Sequence, residues 1–223
     1  MHIPDGFIDL RTSAAFAAVS AAAVAGAVKG ARKQLSEQSA PLVGLTAVFI
    51  FAVQMLNFPV AAGTSGHLIG AALAMVLVGP YAATLALVVV LIIQAFLFAD
   101  GGLTALGLSV FNMAVLSVWI SFGTFVILKK ILPKTKTFLV FATFVSALIS
   151  VPAAALGFVA QYALGANATF SVGTVLNAMV GTHIIIGIGE AVITALTVSA
   201  VLASRSDLVY GWDQSSNKLE IRS

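Results

Sequence analysis

The chain has 223 residues, 60% of them hydrophobic and 9% charged, with a mean hydropathy of +1.09 and a formal net charge of +3. An ordinary soluble domain carries about 25% charged residues, so this supply excludes a water-facing globule, and the long apolar runs indicate an all-α protein embedded in a bilayer. The absence of cysteine excludes disulfides, thiolate metal sites and thiol catalysis, and the basic residues stand at the ends of apolar runs, as topology signals do, rather than in a nucleic-acid-binding patch.

The chain opens on Met1-His2. A histidine beside a terminus is by itself an unremarkable polar residue, but here a chelate is available. The free amine of Met1, the amide nitrogen of His2 and its imidazole close one five-membered and one six-membered ring around a metal ion, nearly in one plane. Displacing an amide proton takes a strongly binding divalent ion, and a nitrogen-rich square plane suits Cu(II) or Ni(II). Such uptake releases protons and weakens at low pH. A bulky second residue keeps the initiator methionine in place, and no basic run or cleavage site leads the first apolar run, so the chain is expected to keep Met1. Asp5-Gly6 after Pro4 is a turn signal that folds the terminus back.

Seven apolar spans follow, at 12–30, 41–57, 67–79, 80–98, 104–128, 138–162 and 173–203. In the first, Ala14, Ala18, Ala22 and Gly26 form a ladder of small residues along one helix face, fit for close packing inside this chain or for docking another subunit. Lys29, Arg32 and Lys33 follow it; Lys129, Lys130, Lys134 and Lys136 separate the fifth and sixth spans; Arg205, Lys218 and Arg222 follow the seventh. Seven crossings with the N-terminus outside put all of these in the cytoplasm and leave Arg11 outside, in accord with the positive-inside rule. The chain is read as one membrane domain, 1–204, with a polar cytoplasmic tail, 205–223.

The third span is short. At 1.5 Å per residue it rises only ~20 Å, against a hydrocarbon core of ~30 Å, before Gly79-Pro80 breaks it. The segment from Phe58 to Gly66 must then dip inward, which non-helical backbone does only when buried in protein or lining a cavity. His67 thereby lies inside the protein at the start of a helix, after Gly63-Thr64-Ser65-Gly66, and is the leading source of a fourth metal donor. Asp100-Gly101-Gly102 reads as an outer turn, with Asp100 able to attract cations. Pro152 is expected to kink the sixth span. In the seventh, His183 and Glu190 share a face. An intramembrane glutamate is a functional candidate by default, but a buried His–Glu pair also locks helices together, and that structural reading is preferred. Asn57, Ser65, Gln94, Asp100, His183 and Glu190 are candidates to orient the ligating groups from behind; for Gln54, Asn57, Gln94, Asn112 and Asn177, each taken alone, hydrogen-bonding glue between helices is the preferred reading.

Enzyme signatures are missing: no HExxH helix, no GxSxG elbow, no phosphate loop, and no lysine in the seventh span for a Schiff base. An active transporter built on this chain would borrow its motor from partners.

The segments Met1-His2-Ile3-Pro4-Asp5-Gly6-Phe7, Gly63-Thr64-Ser65-Gly66-His67-Leu68, Gly79-Pro80, Gln94 to Gly102 and Asn112-Met113-Ala114 resemble the CbiM/NikM family, the substrate-specific (S) components of energy-coupling-factor transporters for cobalt and nickel. The resemblance runs from residue 1 to about 200. It implies a four-nitrogen square-planar site made by the Met1 amine, the His2 amide and side chain, and the His67 side chain, with Ni(II) or Co(II) as transported substrate and no organic cofactor. It implies a prokaryotic cell membrane and an ATP-driven complex with a transmembrane coupling protein, ATPase subunits and a small accessory membrane protein, the coupling protein docking on Ala14, Ala18 and Ala22. The form His2-Ile3-Pro4-Asp5-Gly6 resembles the nickel branch. Two alternatives stand beside it: an S component for an organic vitamin, which gives Met1-His2 no role, and a membrane metalloenzyme, for which only Glu190 could supply an acid or base.

Overall fold

The computed structural model describes residues 1–34, 40–60 and 64–212. The helices are α1 (Leu10–Gln34), α2 (Ala40–Gln54), α3 (Ala71–Val78), α4 (Pro80–Leu97), α5 (Leu106–Ile131), α6 (Lys136–Gly165) and α7 (Val172–Ser204), with a two-stranded hairpin, β1 (Phe58–Val60) and β2 (Thr64–Gly66), between α2 and α3. The protein is thus an all-α multi-pass membrane protein apart from that hairpin. Among the described residues five helices, all except α2 and α3, are long and apolar enough to cross a membrane.

Local chemistry sets the helix ends. Asp9 accepts the Thr12 backbone N–H at 2.7 Å and places a carboxylate at the start of α1, satisfying a free donor and complementing the helix dipole. Thr135 and Ser171 cap α6 and α7 through their hydroxyls. Pro80 stands at the first position of α4, where its missing N–H costs nothing. The lipid-facing surface carries large apolar side chains such as Leu45, Phe96, Ile185 and Leu196. Among α1 residues, Ala14, Ala18, Ala22 and Gly26 all point outward, while Ser13, Ser20, Ala27 and Ala31 are buried. The small-residue ladder therefore does not pack inside this chain; Ser20 instead ties α1 to α5 by donating to the Gly107 carbonyl at 2.7 Å.

The third span is shorter than its sequence suggested. It starts at Ala71 rather than at residue 67 and has 8 residues, a rise of ~12 Å. Seven of its residues are buried, which makes it the central rod of the bundle. The segment before it dips inward as a hairpin, with Pro59 opposite Ser65; Gly63 lies outside the described residues. Helix α6 runs unbroken through Pro152. In α5, residues Val110–Leu116 are wound as a π-helix. Asn112 of that segment donates to Gln161 of α6 at 2.7 Å, and Gln161 donates to the Leu108 carbonyl at 3.4 Å, so the loosened turn finds its partners on α6. At the far end, Tyr210 and Gly211 donate to the carbonyls of Leu77 and Val76, and Lys129 donates to the Gly211 carbonyl at 2.6 Å. Residues 205–212 thus pack under α3; the rest of the tail, with Lys218 and Arg222, lies outside the described residues.

Candidate metal centre

The N-terminus is threaded into the protein. Met1 and Ile3 are fully buried and His2 is nearly so, at 4% exposure. Each step of the path is anchored by the fold. The Ile3 N–H donates to the Ser109 hydroxyl at 3.4 Å, and the Ile3 carbonyl accepts from Gly102 at 2.8 Å. The expected turn forms: Phe7 N–H donates to the Pro4 carbonyl, and Gly6 takes φ +76°. Asp5 accepts the Thr104 backbone N–H at 2.8 Å and its hydroxyl, and these bonds hold its carboxyl below the usual range. Phe7 packs against Tyr162 and Phe158 of α6, and Asp9 N–H donates to the Gly165 carbonyl at 2.7 Å. Ser109 immediately precedes the π-helix, a feature often found beside functional sites.

The 99–102 loop lies flat on this terminus, and its two glycines are the reason. Gly101 has φ +96°, and a Cβ there would stand 3.1 Å from the His2 ring. A Cβ on Gly102 would stand 2.4 Å from the Asp5 backbone nitrogen, which no side chain can satisfy without a shift. Gly102→Ala is therefore expected to lift the loop from the terminus. The substitution should lower thermal stability by about 1–3 kcal/mol and weaken metal retention in parallel, read by melting curves with and without metal. A variant as stable and as retentive as the parent would show that the loop is not a clasp.

The His2 and His67 rings face each other, with centroids 4.8 Å apart and an angle of 29° between planes. His67 is fully buried, and its Nδ1 lies 2.8 Å from the Leu68 carbonyl. A carbonyl only accepts, so Nδ1 carries the proton and the Nε2 lone pair is free. That Nε2 is buried without a hydrogen-bond partner, as is His2 Nε2. Asp100 lies 3.5 Å from His2 Nε2 and accepts from the Asn57 side chain at 3.1 Å. Asn57, Asp100 and His2 thus form a line. Gln94 is fully buried with both side-chain polar atoms unpartnered, and its backbone carbonyl accepts the Asp100 N–H at 3.0 Å. Ser65 sits in β2, two residues before His67.

Burial drives the Met1 ammonium from 8.0 down to about 4, opposed by the Asp100 charge. Burial and then the neighbouring terminus lower His2 to about 3. Asp100 itself is raised by burial, against the opposing pull of the terminal amine and Asn57. At neutral pH the docked terminus therefore presents an uncharged amine and an uncharged imidazole, the forms that bind metal. For a cation with a lowered folded-state value the unfolded chain binds more protons, so docking loses stability as pH falls from about 8 towards about 4.

The expected His183–Glu190 pair does not form. His183 Nδ1 lies 2.7 Å from the Met179 carbonyl, whereas Glu190 accepts the backbone N–H groups of Ile69 and Gly70 at 2.6 and 2.9 Å. Glu190 still fastens helices together, but through the backbone leading into α3. Nothing in the sequence marks the contacts of Ser109 and Thr104 with the terminus or that of Gln54 with Ile69. The visible signal was the cluster of turn formers at 100–102, whose partner was not. Among the described residues no group of three or more His, Cys, Asp or Glu side chains forms a metal cluster; the donors brought together here include a terminal amine and a backbone amide, which such a cluster omits.

The family described as cobalt uptake substrate-specific transmembrane region matches residues 2–208. A protein of Haloquadratum walsbyi named for metal transport is 38% identical over 217 residues, 97% of each chain. A protein of Archaeoglobus fulgidus named for fused nickel transport, NikMN, is 38% identical over 209 residues, 94% of this chain and 68% of its own length. The cobalt transport protein CbiM of Lachnoclostridium phytofermentans is 28% identical over 73% of this chain and 66% of its own. A crystal structure of a transition metal transporter superposes over 100% of both chains with a TM-score of 0.85 at 28% identity, and a truncated one over 91% of this chain and 99% of that one, with a TM-score of 0.83 at 32% identity.

Proposed function

This chain belongs to the CbiM family of membrane-embedded, substrate-specific components of cobalt and nickel uptake, and on that footing we propose that it captures Ni(II) in a square of four nitrogens: the Met1 amine, the His2 amide, His2 Nδ1 and His67 Nε2. The observation that carries this reading is the burial of a neutral chain terminus against a second imidazole whose lone pair is free. Two imidazoles bound side by side on one ion, with metal–nitrogen distances of ~2 Å, place their centroids roughly 4.5 Å apart; the rings here are 4.8 Å apart. With Nδ1 on the metal, His2 Nε2 carries its proton towards Asp100, a carboxylate behind a ligating histidine of the kind that sets tautomer and basicity. Nickel is preferred to cobalt on the planar donor set and on the His2-Ile3-Pro4-Asp5-Gly6 form.

The reading includes an N-terminus outside and seven crossings, the lipid-facing α2 and the short, buried α3 making up the count. What supports this orientation is that Arg32 and Lys33 fill the last turn of α1, and Lys129 and Lys130 that of α5, at the ends the positive-inside rule assigns to the cytoplasm. It also includes an energy-coupling partnership: the outward alanine face of α1, Ala14, Ala18 and Ala22, is the surface assigned to the transmembrane coupling protein, which links this chain to ATPase subunits and a small accessory protein. The vitamin reading is weaker. A cavity of 620 Å³ lined by Phe122, Phe125 and Lys129 lies at the opposite end of the bundle from Met1, and such a substrate leaves the buried terminus without purpose. Nor does a metalloenzyme fit, since Glu190 is occupied by backbone donors.

Isothermal titration of the purified protein with Ni(II), in buffers of different ionisation enthalpy, tests the proposal. One ion per chain is expected, with about one proton released per ion at pH 7, that of the His2 amide, because the amine and imidazole are already neutral. Affinity should fall about tenfold per pH unit below 7, the slope for one linked proton, and more steeply near pH 4. Release of two protons would mean that the terminus docks only with the ion, and an absence of binding would reject the site.

A further inference from the structure

The turn that carries His67 into α3 is held by side chains from two other helices, and the bonding has a direction. Two successive peptide units are involved. In the first, the Leu68 carbonyl faces His67 Nδ1 at 2.8 Å, and at its other end the Ile69 N–H donates to Glu190 at 2.6 Å. In the second, the Ile69 carbonyl accepts from the Gln54 side chain at 2.7 Å, and the Gly70 N–H donates to the other Glu190 oxygen at 2.9 Å. A trans peptide is planar, so its C=O and N–H point in opposite directions and cannot turn independently. Fixing both ends of both units leaves the turn no rotational freedom. Gly70 makes the geometry possible: its φ is +79°, and a Cβ there would press on Ile50 at 2.9 Å.

We infer that Glu190 is a positioning residue for the metal ligand His67, acting through the Leu68–Ile69 peptide, with Gln54 bracing the next peptide from α2. The inference rests on the metal site proposed above and deepens it. Carboxylates often stand directly behind ligating histidines, where they fix the tautomer and raise ligand basicity. Here one peptide group is interposed. By accepting the Ile69 N–H, the Glu190 carboxyl polarises that peptide, makes the Leu68 oxygen a stronger acceptor, and so holds the proton on Nδ1 and the lone pair on Nε2. Charged hydrogen bonds to consecutive N–H groups are short and strong, in keeping with the 2.6 Å contact. His2 has its carboxylate in Asp100; Glu190 gives His67 the same support from the opposite side of the bundle. It also makes the ligand answer to the position of α7, since any sliding of that helix against α3 pulls on the peptide behind His67.

Glu190→Gln tests this. A glutamine can accept only one of the two N–H groups and turns a donor towards the other. With native terminus and bound Ni(II), the E190Q protein is expected to lose the ion 10–100-fold faster and to show a shifted d–d absorption band. In metal-free protein the ¹⁵N signals of His67 should move from the fixed Nδ1–H form to a tautomer mixture. E190D keeps the carboxyl with shorter reach and should fall between E190Q and the parent in all three readouts. A purely structural role would lower melting temperature and leave the band and the tautomer of the folded fraction unchanged; that result, or a parental dissociation rate, overturns the inference. If E190Q does not fold, E190D decides alone: faster loss of the ion with a shifted band and His67 tautomer supports the relay, and parental values refute it. If the parent itself binds neither Ni(II) nor Co(II), the metal reading fails, and the His67 tautomer in E190Q still reports whether the clamp exists.

Discussion

Two residues added before Met1 are expected to weaken nickel retention at least ~100-fold, more than the loss of a supporting group behind a ligand. The extension converts the Met1 amine into an amide and carries the new amine away from His2, so the five-membered ring is lost. It also has nowhere to go, because Met1 is fully buried. Two residues are the sharper test than one. A single added residue makes histidine the third in the chain, and a terminus of that form can close a four-nitrogen square by itself, without His67. Metal content by mass spectrometry, and the dissociation rate into a chelator, are the measurements. Unchanged retention by the extended protein would end the terminal-chelate proposal.

The second large effect is expected at His67. Its replacement by alanine removes the fourth nitrogen and leaves a three-nitrogen chelate open to water, a loss of ~100-fold or more when deletion of a mere supporting residue already costs 10–100-fold. His183→Ala should cost less than about tenfold, because His183 belongs to α7 and its Nδ1 is engaged by its own helix at the Met179 carbonyl. His183 Nε2 is nonetheless buried without a hydrogen-bond partner, so the comparison is informative. Equal losses from the two variants would bring His183 into the ligand set and change the geometry from a square to something deeper.

Much of this architecture was legible in the sequence because the bilayer imposes a simple grammar. Apolar runs marked the helices, several of them bounded by lysines or by Gly-Pro, and the shortness of the run after His67 announced a short, buried helix. The site was half legible. Met1, His2 and His67 carry their chemistry in their identity and position, and Asp5-Gly6 announced the turn that folds the terminus inward. What could not be read was the company these residues keep. Ser109, Thr104 and Gly102 meet the terminus from about a hundred residues away, and nothing periodic connects them to it. Glu190 misled for a physical reason: helical spacing aligned it with His183, but its partners are backbone N–H groups of Ile69 and Gly70, and backbone donors leave no mark in a side-chain pattern. The alanine ladder was ambiguous because small residues suit an internal contact and an external one equally well; only the fold shows that it faces outward.

The complete burial of Met1 also sets a deadline during biosynthesis. In a host that begins its proteins with formylmethionine, the formyl group must leave while the nascent end is still accessible, since no enzyme reaches an amine sealed under a loop formed by residues a hundred positions later. At about 5–20 residues per second, those residues emerge from the ribosome roughly 5–20 s after the first ones do. With the N-terminus outside, as proposed above, removal of the formyl group has to precede both the passage of Met1 across the bilayer and its burial.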